Sequence, residues 1–400
     1  MALCRESKEL PPCPIGDFKL PSSFKKHPGG QEHLQVARES QCPGTLFLSY
    51  HLACDMGKVA AAANALGVAM PHRGPIFDEI YAMVSRIKAE HPNQHRIFVA
   101  WCLLLTVSLN VCFVWWLCYC DVISSLIGSL LFEMYFFNVF HTRHHKGGRL
   151  YGSEFGLLDR CLGLLYDVVD NTWGYTPHAW QRNHHVKHHV YTNEMEMDPD
   201  MPGSYPVLRT CREQPLKWFH KFQTFYWPLP LPFVVMALPT WNVVVNGGKV
   251  IAFAFWFLLM VALPFCLHGW YGLACSAVTQ MVTGVNMSYK FAVSHTHQEL
   301  GKEAKGSTSE APIDQWIKAQ VEEAQSWGGY ISCLMYGGIN MQIEHHVCPA
   351  LDPTLYPFVG PELRRICEAH GIRYTYEPTA LHAAWGFHYQ LWLMGQAKDC

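Results

Sequence analysis

Ile97–Cys118 runs for about 22 residues without a charged side chain, and Val122–Phe140 follows with Glu133 as its single charge. At 1.5 Å per residue, each run is long enough to cross a hydrocarbon core of about 30 Å. The link Tyr119–Ser125 holds no Lys or Arg. Arg86, Lys88 and Arg96 precede the first run, and Arg143, Lys146 and Arg149 follow the second. The positive-inside rule puts those outer ends in the cytosol, so the two runs are expected to form a membrane hairpin. Trp115, Trp116 and Tyr119 stand where an interfacial belt would lie.

Three more apolar stretches follow: Phe222–Val245, Val250–Leu267 and Tyr271–Phe291. The first contains Pro228, Pro230, Pro232 and Pro239, which break a helix repeatedly, and it is expected to be interfacial or re-entrant. The other two read as a second hairpin, with Lys249 and Lys290 at the ends away from its turn, His268–Trp270. Four spanning helices then leave every polar segment on the cytosolic side. Ile76, Phe77, Ile80, Tyr81, Val84 and Ile87 recur at helical spacing after Pro75, which predicts an amphipathic helix over 75–90 that lies on the membrane or packs on the protein. Residues 60–63 and 71–75 read as a linker, and 301–309 as a polar loop. Met1–Cys13 has charges and prolines and no apolar core, so no cleavable secretory signal is expected. The sixteen cysteines include no Cys-x-x-Cys pair and are expected to be reduced. A net charge of −2 excludes a nucleic-acid binder held by clustered cations.

Histidine is the anomaly, at 23 of 400 residues. By chance about 0.08 H-x-x-H-H triplets would occur in such a chain; two occur. His141, His144 and His145 lie in HTRHH; His184, His185, His188 and His189 lie in HHVKHH; His345 and His346 lie in QIEHH, which begins at Gln342. On an α-helix, positions i, i+3 and i+4 share one face, so each box presents convergent ring nitrogens. Held neutral, such rings suit iron, copper, nickel or zinc; thiolates are missing from the boxes, which argues against structural zinc. No single ion needs eight ligands, so two are implied. A histidine-rich membrane transporter or receptor is the rival of another class, but it should carry ionisable groups inside its spans. Ile97–Cys118 and Val250–Leu267 carry none.

HTRHH, then HHVKHHVYTN with DPD at 198–200, then NMQIEHH resembles the boxes of the membrane fatty-acid desaturases, over about residues 20–385. The QIEHH form, with Gln replacing the first His, is similar to the front-end subgroup. The resemblance implies two non-haem iron ions ligated by His141, His145, His185, His188, His189, His345 and His346, with His295 of VSHTHQ as the lone histidine after the last span. His144, His184 and Gln342 are further candidates as ligands or outer partners. His297 is a substitute for His295. Glu344, Asp198 and Asp200 could orient imidazole N–H groups.

KKHPGG at 25–30 resembles the haem-binding signature of cytochrome b5. That family's second axial histidine lies 24 residues later, at His51, so His27 and His51 are the expected axial ligands of a haem b. The expected architecture is mostly α. A small, shortened α+β cytochrome b5-like domain (1–70) and a linker with an amphipathic helix (71–95) precede a polytopic desaturase domain (96–390) with four transmembrane helices and a cytosolic helical cap. The resemblance implies an oxygen-dependent enzyme of the endoplasmic reticulum membrane whose active site faces the cytosol. It would place a cis double bond between an existing one and the carboxyl end of a polyunsaturated acyl group, in the delta-4, delta-5 or delta-6 manner. Its substrate would be an acyl-CoA or a phospholipid, and its electrons would come from NADH–cytochrome b5 reductase. Sphingolipid desaturation or hydroxylation would use the same site.

Overall fold

The computed structural model describes residues 34, 37, 40, 42–152, 155–171, 180–194, 197–198, 205–244, 250–297 and 311–396. Three helices, α1 (Pro43–His51), α2 (Met56–Ala65) and α3 (Pro75–Glu90), precede the first long apolar helix, α4 (Gln94–Tyr119). Helix α5 (Val122–Tyr135) continues through a π-helical segment, Phe136–His141, into the turn Thr142–His145. α6 (Gly156–Asn171) and α7 (Leu231–Val244) follow. Then α8 (Val250–Phe257) runs through a second π segment into α9 (Leu263–His295).

Gln94–Tyr119, Val122–His145 and Val250–His295 are each long and apolar enough to cross a membrane. Their flanks stay apolar where no protein covers them: Leu104, Val107, Val111 and Val114 are all more than half exposed. Such a continuous surface suits lipid, not water. The third stretch is folded in two. Gly269 sits at φ 61°, ψ −144°, a conformation open to glycine, and beyond it Ser276 Oγ donates to Met260 O at 2.5 Å. His268 at this bend donates to Leu117 O at 2.7 Å, and Cys275 Sγ reaches Cys120 O. Both turns therefore lie at one end of the bundle. Helix α7 packs lengthwise on α9 and runs straight through Pro239; the expected breaks at Pro228 and Pro230 fall in the turns before it. At 14 residues it is about 21 Å long, short of a crossing.

Lys290 does not mark a solvated end, as its charge suggested. Its ammonium pairs with Glu133 of α5, and it lies 3.9 Å from the Tyr336 ring centroid. Both charges are buried between apolar helices. Breaking a buried pair by removing one partner costs about 3–5 kcal/mol. Glu133→Ala is expected to lower the thermal midpoint in detergent sharply, and Glu133→Ala with Lys290→Met to recover most of it. A double variant as unstable as the single one would contradict the pairing.

Beyond the apolar helices lies a helical cap: α10 (Pro312–Glu322), α11 (Tyr330–Tyr336), α12 (Gln342–Val347), α13 (Tyr356–Ala369) and α14 (Ala380–Gln396). Two short strands, Ser326–Trp327 and Tyr376–Glu377, pair in parallel. The amphipathic α3 packs on the protein: Ile76, Phe77, Ile80, Val84 and Ile87 are buried with Ile317, Ile343 and Val359. Asp314 accepts from the N–H groups of Ile76 and Phe77 at 3.2 and 2.9 Å, which satisfies two open donors at the start of α3.

This packing continues across the expected boundary at residue 70. Leu48, Leu52, Met56, Ala63 and Val68 belong to the same buried cluster as Ile343 and Val347 of α12. Residues 43–68 are part of the cap's core, and 60–63 lie in α2 instead of a linker.

Candidate metal centre

Three local structures carry the boxes. His141 ends the π segment of α5, and His144 and His145 occupy the turn after it. Another π-helical segment, Arg182–His188, holds His184, His185 and His188, with His189 next. The six-residue α12 presents Gln342, His345 and His346. The third box docks on the first through a loop. Gly337, at φ 57°, lies so close to the backbone of Phe137 that a Cβ there would fall 2.4 Å from its carbonyl carbon. Asn138 and Trp101 both donate to Leu334 O, at 3.0 and 2.8 Å.

The rings converge in two groups. His141, His145, His184 and His345 offer ligand atoms within 4.8 Å of one another, and so do His188, His295 and His346. His189 lies between them, its ring 4.7 Å from that of His345 and 4.4 Å from that of His346. Gln342 joins the second group, with its amide nitrogen 2.7 Å from His295 Nε2 and 3.1 Å from His346 Nε2.

Two expected placements change. His184 enters the first group, with Nε2 3.0 Å from His141 Nε2 and 3.1 Å from His189 Nε2. His185 stands behind it, stacked on His145 at 4.3 Å. The cause is the π-helix. His189 N–H donates to His184 O, five residues back, so residues five apart share a face. His144 turns toward Phe140 and Trp180, with ring centroids 4.5 and 5.5 Å away, and belongs to neither group. His297 lies near Glu377, outside both groups, which leaves His295 as the lone histidine of the centre.

Outer partners fix some of the rings. Asp198 accepts from His188 Nδ1 at 3.0 Å and from Asn193 N–H at 2.9 Å. The Gln320 amide lies 2.7 Å from His346 Nδ1. Each bond leaves Nε2 to face its group. Glu344 does not act this way: its carboxylate accepts from Ser326 at 2.7 Å and from Tyr374, away from the rings. Asp200 lies outside the described residues.

The cluster fits metal ions on its own chemistry. Nε2 of His145 and Nε2 of His345 are buried without a hydrogen-bond partner among the described residues, as is Gln342 Oε1. Buried polar atoms are rarely left so. Burial first, and then the neighbouring imidazoles, hold His184, His189, His345 and His346 well below the usual histidine value. Neutral rings are the ligating form. Nitrogens about 3.0 Å apart suit two ligands each about 2.1 Å from one ion.

The haem pair fares differently. His27 lies outside the described residues. His51 closes α1 with its Nδ1 on Phe47 O at 2.6 Å, and Leu48 and Leu52 beside it are buried in the cap's core.

Two groups of buried imidazoles, each able to hold an ion, stand with helices long and apolar enough to cross a membrane, the make-up of a membrane metalloprotein. The comparisons take the assignment further. A family model described as fatty acid desaturase matches residues 158–378, more than half of the chain, and the chain belongs to that family of oxidoreductases. Delta(5) fatty acid desaturase A of Dictyostelium discoideum is 24% identical over 414 residues, covering 93% of this chain and 88% of that protein. The chloroplastic acyl-lipid (7-3)-desaturase of Chlamydomonas reinhardtii is 28% identical over 262 residues, 60% of this chain; the match spans half of that protein's length. An acyl-lipid (7-3)-desaturase of Rebecca salina is 27% identical over 279 residues, 64% of this chain and 60% of that protein. No solved structure matches the chain.

Proposed function

We propose that the chain is a front-end acyl desaturase that binds two non-haem irons. One would be held by His141, His145, His184 and His345, and the other by His188, His295, His346 and Gln342, with His189 between them. The observation that carries this reading is the convergence of the two imidazole groups, with the Gln342 amide turned into the second. Bound iron would supply the activation of O2 that no side chain provides. Family membership argues against the transporter reading.

The chain's own residues bind, orient and exclude water. Asp198 and Gln320 hold His188 and His346 in register. An apolar cavity lined by Leu109, Phe113, Trp116, Phe132 and Met260 lies among the membrane helices and suits an acyl tail. From its wall a ladder of rings leads to the first box: Phe132 to Phe136 at 6.2 Å, Phe136 to Phe140 at 4.8 Å, and Phe140 to His144 at 4.5 Å. These rings keep the approach dry. His188 meets His295 and His346 at the far end of the 250–295 stretch, so the chain returns to the side it left. A double crossing by the two arms, added to α4 and α5, gives four spans with the centre on the cytosolic side of the endoplasmic reticulum membrane. Electrons would come from NADH through cytochrome b5 reductase and a cytochrome b5-type donor.

Expression in yeast fed a panel of polyunsaturated acids of differing length tests the reading. The expected product carries a new cis double bond on the carboxyl side of the existing ones. A hydroxylated product, or a new double bond in sphingoid bases alone, would favour the rival on the same site. No new product from any acid would overturn the desaturase reading.

A further inference from the structure

We infer that Tyr50, from a segment that reads in sequence as an electron-donor domain, is a positioning residue of the metal centre. Its hydroxyl lies 3.0 Å from His145 Nδ1. Its ring stacks near that of His145, with centroids 5.9 Å apart at 23°, and leans on His185 at 5.4 Å. The other nitrogen of His145, Nε2, is the buried atom without a partner, and His145 belongs to the first imidazole group.

A neutral imidazole has one N–H and one lone pair. With the Tyr50 oxygen accepting from Nδ1–H, the lone pair sits on Nε2 and the ring cannot turn away. This is the task that Asp198 performs for His188. Asp198 lies 10 residues from its histidine; Tyr50 comes from 95 residues upstream of His145.

Helix α1 is built to deliver Tyr50 there. Cys42 and Leu46 are buried against Val186, Val190 and Tyr191 of the second-box segment, and Cys42 Sγ lies 3.5 Å from Tyr191 Oη. On its other side, Leu48 and Leu52 enter the core that holds α12. The helix thus bridges the elements of the second and third boxes, and its tyrosine secures the first. The described part of the N-terminal segment closes the centre as a strap.

The inference rests on the di-metal reading, and the test separates the two. The full chain is purified in detergent, loaded with Fe(II) or Co(II) alone, and titrated with a chelator. Wild type that holds no metal would overturn the metal reading itself. With metal held by wild type, Tyr50→Phe is expected to weaken retention of one ion about 10- to 100-fold and to shift the Co(II) d–d absorption. Ser49→Ala, on the same helix and, among the described residues, bonded to Leu46 O alone, should hold metal as wild type does. In a His145→Ala background, Tyr50→Phe should add no further loss, because both changes act through one ring. Wild-type retention by Tyr50→Phe, or an equal loss in the His145→Ala background, would overturn the assignment.

Discussion

His184→Ala is expected to abolish product and to cost the purified protein one metal ion, whereas His185→Phe is expected to keep both ions and to stay within about tenfold of wild type. The difference follows from the π-helical turn of the second box. His184 Nε2 lies 3.0 Å from His141 Nε2 and belongs to the first imidazole group. His185 supports that group from behind, by its face on His145. A phenyl ring preserves the stacking, and losing an outer contact of this kind costs about 10- to 100-fold at most. Losing a ligand costs more, since the remaining rings leave an open position. Product analysis in yeast and metal content of the purified variants check the pair. Product from His184→Ala together with none from His185→Phe would restore the α-helical reading of the box.

That contrast shows where the sequence stops being legible. The types of ligand and their grouping stand in the boxes, because chemistry that needs neutral imidazoles must spend histidines in clusters. Which rings face inward depends on one inserted residue per turn, and no residue type in RNHHVKH announces a π-helix. The haem signature shows a different limit. The spacing from His27 to His51 matches, but spacing says nothing about what Leu48 and Leu52 touch; they touch a core completed by α12, nearly three hundred residues later. Lys290 misleads in the same way, because its partner Glu133 is 157 residues distant and the sequence shows only a cation at the end of an apolar run. Long apolar helices do stand at Gln94–Tyr119, Val122–His145 and Val250–His295, since a bilayer imposes length and composition on each helix separately. Asp198 and Glu344 both stand as candidates in sequence, and Asp198 reads equally well as part of a solvated loop. Packing gave His188 to the first, and Ser326 and Tyr374 to the second.

The same cluster makes the metal-free protein acid-labile well above the range of ordinary acid denaturation. His184, His189, His345 and His346 are each held well below the usual histidine value, by burial first and by neighbouring imidazoles second. A histidine with a depressed folded pKa stays neutral in the native state and takes up a proton when the chain unfolds. Below about pH 6.5 the unfolded chain therefore binds more protons than the folded one, and stability falls as pH falls. Each ring contributes up to about 1.4 kcal/mol per pH unit, so four rings cost about 5 kcal/mol between pH 7.5 and 5.5. Glu344 acts with the opposite sign. Burial raises its pKa above the usual 4.5, against the pull of Ser326 and Tyr374, so its contribution is lost as pH rises. With a total stability of about 5–15 kcal/mol, chelator-treated protein should lose most of its margin by pH 5.5. Metal-loaded protein should start higher by the free energy of ion binding. Thermal unfolding in detergent, followed by tryptophan emission at half-unit steps of pH with and without chelator, measures this directly. A chelated protein whose midpoint is flat from pH 7.5 to 5.5 would mean that the rings are already solvated or protonated, and neither state is compatible with imidazoles held neutral for a pair of ions.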